Sequence, residues 1–157
     1  MSAADAYVDD RLFTTLDTKT RLVYLPDGRN MLLVDTVGFI RHLPHGLVAS
    51  FRSTLDVARE ADLLLVVADA GHDRIDDHLE VVRDTLREIG ADKVPAVLIL
   101  NKCDSAGAKK SLAQLREKFP DALAISALQK EGLAGLKEII AERLKNAVYS
   151  GNANRKP

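Results

Sequence analysis

Val94-Pro95-Ala96-Val97-Leu98-Ile99-Leu100 is an apolar run that stops at Asn101-Lys102-Cys103-Asp104. A short run of apolar and β-branched residues without polar alternation reads as a strand buried on both faces, as in a parallel sheet. A second such run, Leu63 to Ala68, ends at Asp69. Between the two, Leu79, Val82, Leu86 and Ile89 recur at helical spacing until Gly90 stops them. Strand, amphipathic helix, strand is the repeating unit of an α/β domain with a largely parallel sheet.

Outward from this unit the alternation continues. Leu112, Leu115 and Phe119 mark a helix closed by Pro120, Ala122 to Ile125 makes a last short strand, and Leu133, Leu136, Ile140 and Leu144 define a final helix. On the amino-terminal side, Leu47 to Ala61 places Leu47, Phe51, Leu55 and Ala58 on one helical face, with Arg52 and Arg59 on another. Earlier still, Arg21 to Leu25 and Asn30 to Val34 flank Pro26-Asp27-Gly28, a turn short enough to make the two strands antiparallel. Residues 1–150 are expected to form one domain, and the small polar tail Gly151 to Pro157, with nothing to bury, is expected to be disordered.

Composition excludes several classes of function. The chain has 157 residues, 46% hydrophobic and 29% charged, which is material for one core. Lys plus Arg number 22 and Asp plus Glu 23, so 22 − 23 = −1 removes the electrostatic case for a general nucleic-acid binder. Four Phe, three Tyr and no Trp are too few for a base-stacking platform. A single cysteine, Cys103, leaves no disulfide partner within the chain and no multi-thiolate zinc site. The longest apolar runs fall far short of the roughly 20 residues that cross a bilayer, and Met1 to Asp10 is acidic where a signal peptide is basic and apolar. The expectation is a cytoplasmic protein with no membrane partner.

Three loops lie just past the carboxyl ends of the expected strands, where ligands bind in open α/β sheets: Asp35-Thr36-Val37-Gly38, Asn101-Lys102-Cys103-Asp104 and Ser126-Ala127. Asp104 offers two acceptor oxygens that match the paired N–H donors on one edge of guanine, a pair adenine lacks. Asn101 can donate to acceptors on the opposite edge or brace the loop, and the Lys102 stem can lie over the base. Asp35 suits a hydrated Mg²⁺, and the Gly38 N–H can approach a terminal phosphate because no Cβ obstructs it. Other groups have plainer readings. Cys103 fills space within its loop, and His72, Asp73, Asp76, Asp77 and His78 form a solvated helix start, since acids favour a helix amino terminus.

With these strings in place, the chain resembles the HflX GTPases, a branch of the Ras-like P-loop GTPases. The resemblance runs from about Asp5 to Val148 and rests on Tyr7-Val8-Asp9-Asp10-Arg11-Leu12-Phe13-Thr14-Thr15-Leu16-Asp17, Asp35-Thr36-Val37-Gly38-Phe39-Ile40-Arg41 and Leu43-Pro44. It implies a three-layer Ras-like fold, mostly parallel with one antiparallel edge strand. It also implies GTP or GDP as ligand, Mg²⁺ as cofactor and the large ribosomal subunit as partner. By resemblance, Thr15 is the switch I threonine on Mg²⁺ and the terminal phosphate, within the nucleotide-binding stretch Phe13, Thr14, Thr15, Leu16 and Asp17. Asp35, Thr36, Val37 and Gly38 open switch II, with Asp35 also on the metal. Asn101, Lys102 and Asp104 read guanine, and Ser126 and Ala127 meet its oxygen. Phe39 stands where Ras-like enzymes place a water-orienting glutamine, and a phenyl ring cannot do that work.

One departure is as informative as the match. A Walker A loop ends in Gly-Lys-Ser/Thr, and none of the nine glycines is followed by lysine. In the family a strand, that loop and its helix precede switch I, so the expectation is a G domain whose first strand and P-loop are absent, a fragment or an internally initiated product. Two functions follow. One is a part of an HflX-type GTP hydrolase, and the other is a non-enzymatic remnant that binds only guanine or a protein. A third, a phosphoacceptor receiver domain using Asp69 and Lys102, fits the fold class but lacks the acidic pair after a first strand.

Overall fold

The computed structural model describes residues 19–36 and 52–152. Two strands, β1 (Lys19–Tyr24) and β2 (Asn30–Asp35), come first, followed by α1 (Arg52–Glu60), β3 (Leu64–Asp69), α2 (Ile75–Glu88), β4 (Ala96–Asn101), α3 (Ala106–Lys118), β5 (Leu123–Ala124) and α4 (Leu133–Asn152). Each expected element within those residues is present; the strand ends are displaced by a residue or two, and the helices extend beyond the apolar stripes that marked them. The displacements have local causes. Leu25 leaves β1 because its N–H turns to Arg29 O at 2.9 Å to close the Asp27-Gly28 turn, where Gly28 takes φ 83°. Its side chain is buried against α4 with Ile140 and Ala141.

The strands form two groups. β1 and β2 are an antiparallel pair with Leu22 opposite Leu32, and β3, β4 and β5 are a parallel sheet in that order with Leu65 opposite Val97. Among the described residues no ladder joins β2 to β3, so each has an unpaired edge.

Strand periodicity sorts the apolar side chains of the parallel sheet into two layers. Val66, Ala68, Leu98 and Leu100 pack on one face with Ile75 and Leu79 of α2 and Ala108 and Leu115 of α3. Leu63, Leu65, Val97 and Ile99 pack on the other with Leu133, Leu136 and Ile139 of α4. Because α4 also covers Leu25 and Met31, this one helix spans both strand groups, and Arg29 of the hairpin turn donates from Nη2 to Ala141 O. Helices on both faces of a mostly parallel sheet give the three-layer α/β architecture.

One expectation changes. The helix α4 runs to Asn152, two residues into the stretch read as a disordered tail from Gly151, because each added turn needs only a carbonyl four residues back. The rest of that tail, residues 153–157, lies outside the described residues, as do Leu47 and Phe51 of the expected early helix. None of the helices among the described residues is long and apolar enough to cross a membrane.

Candidate functional site

β4 ends at Asn101, and the loop after it is built around that side chain. Asn101 Oδ1 accepts the Lys102 N–H at 2.8 Å and the Ala127 N–H at 3.0 Å, which ties the end of β4 to the loop after β5. Of the two roles open to Asn101 from sequence, this is the brace. A second tie lies beside it, where the Cys103 N–H donates to Ile125 O at 3.1 Å. Ser126 is 1% exposed and its Oγ accepts the Gln129 N–H, so its hydroxyl holds its own turn, while the N–H of the exposed Ala127 stays on Asn101 Oδ1.

Bracing has a conformational consequence. Lys102 takes φ 62°, a left-handed backbone uncommon for a residue with a Cβ, and the two N–H bonds on either side of it hold it there. Its side chain reaches across to β3, where Nζ lies 2.7 Å from Asp69 Oδ2. The hydrogen bond from Lys102 holds the Asp69 carboxyl below the usual carboxylate range, with a lesser downward push from the Gly71 N–H, and raises the Lys102 ammonium in return. Asp69 entered the sequence reading only as the strand end and as the acceptor of the receiver alternative. Nothing local in the sequence marks it, because the pairing depends on the register that sets Asp69 directly opposite Asn101 in the parallel ladder.

Asp104 is half-buried at the start of the turn into α3, and its Oδ1 is the one buried side-chain polar atom without a hydrogen-bond partner among the described residues. An acceptor withdrawn from water with no donor is costly, so capacity is left over where a ligand with N–H groups would use it. Ser105 caps the helix that follows, its Oγ accepting the Ala108 N–H at 3.1 Å. Cys103 fills the loop as expected. Its Sγ donates to Leu100 O at 3.1 Å, it packs on the α2–α3 core, and burial pushes its thiol pKa up.

The structure therefore brings together Asn101, Lys102, Asp104, Ser126 and Ala127 from two loops. Asp35 and Thr36 stand at the end of β2, in the separate strand pair, and among the described residues no hydrogen bond or ion pair joins Asp35 to the first group. Phe13, Thr14, Thr15, Leu16, Asp17, Val37, Gly38 and Phe39 lie outside the described residues. Asp35 is exposed at the strand end, a hard oxygen donor, and no group of three or more His, Cys, Asp or Glu among the described residues is placed to hold a metal. A lone carboxylate fits Mg²⁺, which keeps most of its waters and takes one or two protein oxygens. Around His72 and His78, Asp76 and Asp77 lie in the first turn of α2, as a solvated helix start requires.

The chain is similar to known GTP-binding proteins over most of its length. A family model described as "50S ribosome-binding GTPase" matches residues 1–102. A protein named GTPase HflX from Gluconacetobacter diazotrophicus is 48% identical over 141 residues, covering 89% of this chain and 31% of its own length. Another of the same name from Escherichia coli is 39% identical over 149 residues, covering 94% of this chain and 35% of its own. The chain thus spans about a third of the length of the curated relatives it matches. Among solved structures, one titled as an SsGBP and GDP complex superposes with a TM-score of 0.67 at 28% identity, over 87% of this chain and 45% of that one.

Proposed function

The chain belongs to the 50S ribosome-binding GTPase family as an HflX-type G-domain segment, and from that premise we propose that its two braced loops bind the base of a guanine nucleotide. The observation that carries this reading is Asp104, whose Oδ1 lacks a donor beside a loop pinned in place by Asn101. In this assignment the Asp104 carboxylate accepts the two N–H groups on the guanine edge, a charge-assisted bidentate contact that adenine cannot make. The Ala127 N–H, held by Asn101 Oδ1 in the free chain, is shared with the guanine oxygen on binding, and the Lys102 stem covers one face of the ring.

The phosphate end of the site is assigned to Phe13 through Asp17 and to Asp35 through Gly38. Asp35, through water, and Thr15 would hold Mg²⁺, which supplies charge neutralisation at the phosphates when bound. Hydrolysis of GTP to GDP and phosphate, association with the large ribosomal subunit and a cytoplasmic location are proposed for the longer protein on the strength of its relatives. In that reaction, positioning of water and charge around the terminal phosphate do most of the work. Phe39 can orient no water, so that task falls to another group or to a partner.

The test is competition binding with guanine, adenine and xanthine nucleotides. The 157-residue chain is expected to prefer guanine, with affinity no better than about 0.1 mM because its sequence holds no Walker A cradle. Asp104→Asn should move preference towards xanthine, whose ring oxygen can accept from the new amide. An unchanged guanine preference in that variant refutes the assignment.

A further inference from the structure

The turn after β3 is locked to the helix that follows the guanine loop. Asp69 uses both oxygens, Oδ2 for Lys102 Nζ and Oδ1 for the Gly71 N–H at 2.9 Å. On its far side the turn rests on α3 without room for a side chain. A Cβ at Gly71 would come within 2.7 Å of Ser105 Oγ, and one at Gly107 within 2.8 Å of the Gly71 carbonyl oxygen. Ser111 Oγ adds a bond to Ala70 O at 2.9 Å, and the Ala70 N–H donates to Asn101 O at 2.9 Å. At the other end, the Lys102 backbone is held at φ 62° by Asn101.

Both ends of the Lys102 side chain are thus fixed to the same rigid assembly, and the methylene stem is stretched between them. We propose that Asp69 is a positioning residue for guanine recognition, holding the Lys102 ammonium so that the stem forms a fixed apolar wall over the base that Asp104 reads. The inference rests on the guanine reading of Asp104 and extends it to a residue on a different strand. Its physical basis is rotamer entropy. A free lysine loses more on being ordered than almost any other side chain, and Asp69 takes that loss before the ligand arrives. Lys102 is exposed at 63% and Asp69 half-buried at 34%, so solvent screens the pair and its effect is modest.

The experiment is a titration of the 157-residue chain with GMP, followed by amide shifts in NMR, for the parent, Asp69→Asn, Lys102→Met, the double variant and Asp104→Ala. Asp69→Asn keeps an oxygen for the Gly71 N–H and replaces the charged acceptor of the Lys102 ammonium with an amide NH2 that cannot accept from it. It should weaken GMP binding about threefold, the scale of an exposed ion pair, and should add nothing on the Lys102→Met background. The unsubstituted chain gives an independent reading, since the Lys102 ammonium signal should persist with GMP bound. Equal losses on both backgrounds mean a merely structural role and overturn the inference, as does disappearance of the ammonium signal on binding. No effect of Asp69→Asn, with guanine binding lost in Asp104→Ala, overturns the inference and leaves the guanine reading standing. Unaltered binding in Asp104→Ala, or no saturable shift in the parent, overturns both.

Discussion

Two glycine-to-alanine substitutions, chemically identical, should move stability in opposite directions. Gly107 and Gly135 both lie in the first turn of a helix, α3 and α4 respectively. Helix propensity alone favours alanine at each by up to about 1 kcal/mol. At Gly135 an added Cβ meets nothing within 4 Å, so that gain should appear undiminished. At Gly107 the Cβ would lie 2.8 Å from the carbonyl oxygen and 3.2 Å from Cα of Gly71, both backbone atoms that no side-chain rotation can clear. The turn after β3 must then move off α3, straining the Ser111–Ala70 bond and the seat of Asp69. Overpacking of this kind costs roughly 1–3 kcal/mol, which exceeds the propensity gain and leaves a net loss of about 1 kcal/mol. Urea unfolding followed by circular dichroism should place the Gly107→Ala midpoint below the parent and that of Gly135→Ala above it. If Gly107→Ala stabilises as much as Gly135→Ala, the close approach of turn and helix is not a feature of the folded protein, and the case for Asp69 weakens with it.

Three further outcomes are expected. The 157-residue chain should release phosphate from GTP no faster than buffer, because no glycine in it is followed by the lysine of a phosphate-binding loop; release that scales with protein concentration and survives repurification contradicts this. Sedimentation should reveal self-association, since β2 and β3 each leave an edge unpaired among the described residues and Leu22, Tyr24 and Leu32 of the β1–β2 hairpin are exposed, whereas a monomer with one sharp thermal transition would show those edges to be protected. Cys103 should react with iodoacetamide at pH 7.5 more slowly than a free thiol, and its rate should climb only at higher pH, because burial raises its pKa and keeps the thiolate scarce; a rate equal to that of glutathione refutes this.

Some of this protein is determined by stretches of sequence that can be read one at a time. The apolar runs at Leu63 and Val94 are strands and the stripe from Leu79 to Ile89 is a helix because periodicity and burial act within a few residues of each other. For the same reason Asn101, Lys102 and Asp104 could be placed together at a strand exit, and Cys103 read as filler. Other features belong to the tertiary structure alone. Asn101 binds Ala127 from 26 positions away, Lys102 binds Asp69 from 33 positions away, and Gly71 and Gly107 exclude each other's side chains. None of these has a local signature. They arise because β3, β4 and β5 run parallel in a fixed register, so each crossover helix returns the chain to the same end of the sheet and stacks loops distant in sequence. Sequence chose the residue types at each strand end, but only the register of the folded sheet decided that Asp69 and Lys102 would meet there.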